Sequence, residues 1–453
     1  MTKAKEQSAS NSDQHNRRVQ IAGSLFSKLA DALANTKIVL PALFHAIAAP
    51  TFFVGLISPI RESFSMLPQI FLSGFVSKHP RPQHVYAFGA IAQAFALAAM
   101  LVVFINHDGW SGGIGILAAL LLFSLARSIC SLSSKTVLGA TVRKSRRGGL
   151  MGVAGTIAGG ISIVYGLLLY LSASDSATES ANADSALSAS TALTQSLSGQ
   201  QWVLGGLLAA SSVFFILAAL CYRSVRWENS SKTDSSDDRN SNSSRKSYHS
   251  AGHLLKEDQY FRRFVITRAF MMVSALALPY VAMIALKTSQ YGQNSAISLF
   301  AMLVIIEGCS SLLSSRLWGA AADSNSRRVL LLTALLSTSL CAVSALLVSE
   351  WTNVDAIPST WSWLVVYAFM SLTHNGVRLG RKTYIVDLAD DQEQSHQKRT
   401  EYVAVSNTII GILLLFFGVL SAFIAQFSLL VLFTLFAISA CIASLLSHGL
   451  KRL

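Results

Sequence analysis

Two acidic residues stand where hydrocarbon is expected. Glu62 and Glu307 each lie inside a long apolar run, and the runs are related. Ile60, Glu62, Ser65, Leu67, Leu72 and Gly74 recur as Ile305, Glu307, Ser310, Leu312, Leu317 and Gly319 at a constant offset of 245 residues. Six identities in fifteen positions mark an internal repeat. A carboxylate in a membrane core is costly unless something pairs with it or uses it. In a low dielectric a carboxylate also holds its proton more readily than in water, which makes Glu62 and Glu307 the leading candidates to carry a proton and Asp31 the third.

The other reactive side chains form no competing centre. There is no GxxxxGK[ST] to cradle ATP phosphates, no HExxH for zinc hydrolysis and no GxSxG nucleophile elbow. The five cysteines, at 130, 221, 309, 341 and 441, sit in or beside apolar runs without CxxC or Cys/His spacing. The expectation is a non-enzyme with no metal, cofactor or disulfide, driven by a gradient or by its own substrate.

The elements that must hold these acids are membrane helices. Hydrophobic residues make up 52% of the 453-residue chain and charged residues 13%, with a mean hydropathy of +0.48, far from the roughly 25% charge of soluble proteins. The formal charge of +13 is spread between apolar segments instead of forming one basic face, which argues against nucleic acid. Windows of about twenty residues, the length that crosses ~30 Å of hydrocarbon, place spans near 22–47, 52–76, 84–106, 113–138, 148–173 and 201–223. A second set lies near 260–286, 294–317, 327–349, 360–385, 401–425 and 427–448. The fold class expected is an all-α membrane protein of twelve transmembrane helices, in two six-helix pseudo-repeats around a central cavity. Aligning Pro41 with Pro279 pairs the first span with the seventh.

Basic residues fill the even connections, among them Lys78 and Arg81, Arg143 to Arg147, and Arg327 with Arg328. The odd connections hold Asp108, Asp175, Glu179, Asp184, Glu350 and Asp355. By the positive-inside rule both termini are cytoplasmic, and no cleavable signal precedes the first span. The organisation expected is a cytoplasmic tail over 1–20, an N-terminal half over 21–223, a disordered cytoplasmic linker over 224–258 and a C-terminal half over 259–449. Residues 172–200 read as a Ser/Ala-rich external loop. Lys135, Arg378, Arg381 and Lys382 read as snorkelling residues near cytoplasmic helix ends.

The repeat continues beyond the acids. Ser124, Leu125, Leu132, Lys135 and Thr136 recur 247 residues on as Ser371, Leu372, Leu379, Lys382 and Thr383. With Gly319, Asp323, Arg327 and Arg328 after span eight, the chain resembles the major facilitator superfamily over residues 20–450. Those four residues match that family's gating loop, although Ser324 and Ser326 replace its usual basic residue and glycine and Lys78 stands for the aspartate in the first half. Gly152, Gly155, Gly159 and Gly160 resemble its glycine-rich antiporter signature without the proline. They also fit close helix packing.

The resemblance implies that spans one, four, seven and ten line the cavity. Asp31, Arg127, Arg268 and His374 then become its polar lining, with Asn375 beside His374 as a further substrate-binding candidate. Glu62 and Glu307 lie twelve residues before Gly74 and Gly319, about 18 Å from the cytoplasmic edge and so near mid-membrane. The reading is a monomeric, proton-coupled secondary transporter of the bacterial inner membrane, moving a small solute by alternating access. Its cations outnumber Asp31, which favours an organic anion. The alternatives are a proton-driven exporter of hydrophobic or cationic drugs and a non-transporting sensor or scaffold of the same fold.

Overall fold

A computed structural model describes residues 2–68, 72, 81–141, 156–157, 159–171, 186–225, 255–256, 258–287, 296–351, 360–391 and 396–451. In chain order these form α1 (Thr2–Leu33), α2 (Val39–Ala46), α3 (Thr51–Met66), α4 (Pro82–Asn106), α5 (Gly109–Thr141), α6 (Gly159–Leu171) and α7 (Ala186–Arg223). The second half supplies α8 (Gln259–Phe270), α9 (Val273–Lys287), α10 (Ala296–Trp351), α11 (Thr360–Asp391), α12 (His396–Phe427) and α13 (Leu429–His448). The first span is α1 with α2, the seventh is α8 with α9, and α10 is two spans joined at Asn325, whose extended backbone (φ −166°, ψ 95°) breaks the helix. The result is twelve spans in two sets of six.

Among the described residues eight stretches are long and apolar enough to cross a bilayer. The spans outside that set are informative. α3 is only 16 residues long and the described part of the fifth span is short. The first carries Lys28, Asp31 and Lys37, and the tenth carries His374, Arg378, Arg381 and Lys382. Charge, not lack of helix, lowers their hydropathy.

Several boundaries differ from those read off the sequence. The tail over 1–20 is helical from Thr2 and continuous with the first span. Its helix packs on the end of α7, where Gly23 meets the Tyr222 ring and Ser24 Oγ lies 3.3 Å from Tyr222 Oη. The last residues of the 172–200 segment are also helical, because α7 starts at Ala186. The linker over 226–254 and the loop over 172–185 lie outside the described residues.

The first span is not one helix, and neither is the seventh. The chain turns at Ala34–Ile38 and again at Met271–Met272. On the Pro41–Pro279 alignment these breaks are neighbours in the repeat. Pro279 has no N–H, so the Ala275 carbonyl loses its helical donor, and Ser58 Oγ from α3 donates to it at 2.8 Å. The second span thereby caps a defect in the seventh, across the two halves.

Three apolar clusters describe how the halves meet. One contains Leu40, Phe44 and Leu120 from the first half together with Leu278, Tyr280, Leu286 and Trp363 from the second. It lies at the end of the spans away from the chain termini. At the terminus-bearing end there are two separate clusters. Tyr86, Cys130, Val137 and Tyr222 belong to the first half, and Phe261, Phe264, Tyr384, Leu388 and Leu450 to the second. Among the described residues, the apolar clusters bridge the halves at one end and stay within each half at the other.

Glycines let the halves approach along two seams. α3 packs on α12, with Gly411 against Leu67, Gly418 against Pro59 and Gly55 against Ala422. α6 packs on α10, with Gly166 against Ile305 and Gly308 against Ile163. Gly159 touches Leu312 there, so close packing accounts for it, whereas Gly160 faces open space. Gly152 and Gly155 lie outside the described residues. A Cβ on Gly55 would lie 2.6 Å from the Ala422 Cα, a backbone contact that no rotamer relieves. Gly55→Val is therefore expected to cost about 1–3 kcal/mol, the range for overpacking, measured as a lowered thermal midpoint in detergent. An unchanged midpoint would show the seam to be loose.

Candidate functional site

The charged side chains converge between the joined and divided ends. Asp31 on α1 forms an ion pair and hydrogen bond with Arg127 on α5. Arg61 Nη2 on α3 lies 3.5 Å from the same Asp31 oxygen, and its guanidinium rests over the Phe123 ring at 4.8 Å. One carboxylate thus serves two arginines inside the first half. Arg127 is not a free fork waiting for an anion, because its acid is already in place.

Glu307 is held from both halves. Lys37, in the break of the first span, donates to Oε1 at 2.8 Å. On the other oxygen, Oε2 accepts from Ser371 Oγ and from Tyr367 Oη, the latter at 3.3 Å, both on α11. The expected mid-membrane acid therefore has a cation from the opposite half and two hydroxyl donors from its own. Its repeat partner Glu62 makes no ion pair within 4 Å among the described residues. Arg378 and Arg381 from α11, with Arg61 and Lys37, are the described cations whose fields reach Glu62. Each repeat acid accordingly answers to cations of the other half.

Arg268 at the end of α8 turns towards α12. Its Nη1 donates to Ser406 Oγ at 2.7 Å and its Nη2 to Asn407 Oδ1 at 2.8 Å, while Nε is buried without a partner among the described residues. His374 Nδ1 lies 3.2 Å from Ser274 Oγ, just past the seventh-span break, and the neighbouring Asn375 keeps a buried Nδ2 without a partner among the described residues. Both residues lie on α11. The gating-loop residues behave differently. Arg327 donates to the His448 carbonyl at the end of α13, Ser326 Oγ donates to Asp387 Oδ2 at 2.7 Å, and the Arg328 amide donates to Asn325 Oδ1 at 2.9 Å. Their described contacts stay within the second half, which fits a division at that end. Gly319 lies on α10, and the side chain of Asp323 is outside the described residues, as are Gly74 and Lys78.

Sequence reasoning missed Lys37 and Arg61 as site residues and placed Arg378 and Arg381 at the headgroups. The signals were present. Arg61 adjoins Glu62 in an apolar run, and Lys37 stands four residues before Pro41, where the missing N–H loosens the helix.

No sequence-family profile and no curated protein matches the chain. Solved structures match it over nearly its full length. A single-substitution mutant of the nucleoside transporter NupG is 13% identical with a TM-score of 0.65, covering 95% of this chain and 99% of that one. A D-xylose-proton symporter is 12% identical with a TM-score of 0.62, covering 95% of each chain. FucP, a major facilitator superfamily transporter in the outward conformation, is 13% identical with a TM-score of 0.51, covering 96% and 99%. The chain therefore has the twelve-helix fold of these transporters.

Proposed function

We propose that this chain, whose fold is that of the major facilitator transporters, is a secondary active transporter that moves a small solute across a membrane by alternating access and couples that movement to protons. The observation that carries the reading is the Lys37–Glu307 pair. A part-buried ion pair between two halves whose described apolar clusters bridge them at one end and stay separate at the other ties charge to the relative position of the halves. In the orientation expected from loop charge the divided end is cytoplasmic, so the arrangement described is inward-facing.

The charge balance favours an organic anion. Among the described residues Lys28, Lys37, Arg61, Arg127, Arg268, Arg378 and Arg381 stand with Asp31, Glu62 and Glu307, a surplus of four (7 − 3). A second reading, export of hydrophobic or cationic drugs, draws on an apolar cavity between the seventh, eleventh and twelfth spans lined by Phe270, Leu276, Phe417, Leu420 and Phe436. The test is uptake into proteoliposomes of carboxylates, neutral sugars and nucleosides, and cationic dyes, with and without an imposed pH gradient. Uptake of carboxylates that grows with the gradient supports the first reading. Dye transport that ignores carboxylates supports the second.

The orientation has its own check. On a cysteine-free background, single cysteines placed within 224–256 are expected to label only from the cytoplasm, and those within 174–198 only from outside. External labelling of the 224–256 segment in sealed cells would reverse the topology.

A further inference from the structure

Lys37 lies in the turn Ala34–Ile38 in the middle of the first span, and Pro41 has no N–H to offer its carbonyl. Irregular backbone at such depth is tolerated only where it is buried in protein or lines a watery cavity. The seventh span is interrupted at the corresponding place, at Met271–Met272. Matching interruptions in the two halves are the best backbone pointer to where a transporter holds its cargo.

From this break the Lys37 ammonium reaches the other half, and both it and Glu307 keep some exposure, 19% and 15% of their side chains. The two partners are unequally dependent on each other. If Lys37 moved away, Glu307 would retain the hydroxyls of Ser371 and Tyr367. If Glu307 lost its charge, Lys37 would have no other carboxylate within 4 Å among the described residues. Among the described residues, Glu62 and His374 also lie in its field.

We infer that Lys37 is the ligand for a carboxylate group of the cargo, and that the Glu307 carboxylate occupies that position when no cargo is bound. This deepens the proton-coupled reading and rests on it. A proton adds to Glu307, whose carboxyl stays among Ser371 and Tyr367. The ammonium passes from Glu307 to the cargo carboxylate. One proton and one anion enter together, so the charge of the assembly is the same before and after binding.

The experiment uses the full chain in sealed proteoliposomes, with lactate and benzoate as carboxylate probes and xylose and uridine as neutral ones, read as counterflow over a range of pH. The wild type is expected to exchange a carboxylate probe with an apparent affinity that falls up to about tenfold per pH unit once Glu307 loses its proton. Lys37→Gln is expected to raise the carboxylate KM on the order of 10- to 100-fold, the worth of a charge-assisted hydrogen bond. Lys37→Arg, which keeps the charge, should recover most of that loss, and Glu307→Gln should remove the pH slope while exchange persists. Wild-type carboxylate affinity in Lys37→Gln, or a pH slope that survives Glu307→Gln, overturns the inference. Exchange of neutral probes alone also overturns it while leaving transport intact. Exchange of no probe by any variant would remove the transport reading together with this one.

Discussion

Glu307→Gln is expected to abolish gradient-driven accumulation and to leave downhill exchange within about tenfold of wild type. Glutamine keeps the length and shape of glutamate, and its amide still meets Ser371, Tyr367 and Lys37. What it loses is the ability to take up and release a proton, which is the step that links a pH gradient to work. The measurement is the ratio of internal to external solute at steady state in proteoliposomes with an imposed gradient. A ratio near one in the mutant, with wild-type-like counterflow, is the expected result. Glu62→Gln should produce a milder defect, because Glu62 has no ion pair to break among the described residues. Full accumulation in both single mutants and in the double would remove these acids from coupling and leave Asp31 as the proton carrier.

The second large effect is structural. Asp31 is the only acid within 4 Å of Arg127 and Arg61 among the described residues, so Asp31→Asn takes away the ion-pair partner of both arginines. Breaking a fully buried pair costs about 3–5 kcal/mol. These side chains are 20%, 32% and 14% exposed, which lowers the expected loss to about 2–3 kcal/mol in chemical unfolding from micelles. Removing the stranded charge as well should help. Asp31→Asn with Arg127→Gln is expected to be more stable than Asp31→Asn alone by about 1 kcal/mol, a non-additivity that marks direct coupling. Strict additivity would mean that the pair contributes nothing. If Arg127 is instead the anion ligand, Arg127→Lys should abolish carboxylate transport without altering stability.

Much of the fold was legible because membrane helices announce themselves by length and hydropathy. The apolar runs gave twelve spans, and the 245-residue offset gave two halves. Where the sequence reading drifted, the cause was local. The first span reads as one segment because Lys37 and Pro41 lie within an otherwise apolar stretch, yet the chain turns there and uses the turn to present a cation. The polar tail before residue 21 reads as separate from the first span, but one helix runs through both, and Gly23 and Ser24 dock it against Tyr222. The acids Glu62 and Glu307 were visible from their depth and their repeat. Their partners were not, because a partner in the opposite half is set by packing between halves and leaves no mark in local spacing. Arg378 and Arg381 illustrate this. Counted from the helix end they resemble snorkelling residues, but their charges act on Glu62 of the other half.

The central claim is that two six-helix halves rock about this charged centre. It is tested most directly by paired distance measurements with spin labels on a cysteine-free background. One pair would sit at the divided end, at Arg223→Cys and Arg262→Cys, and the other at the joined end, at Asn106→Cys and Phe427→Cys. All four positions are exposed, and each pair spans the two halves. On moving from neutral to acid pH with a transported carboxylate present, the divided-end distance is predicted to shorten while the joined-end distance lengthens. Two distributions that stay fixed, or that move in the same direction, would contradict alternating access.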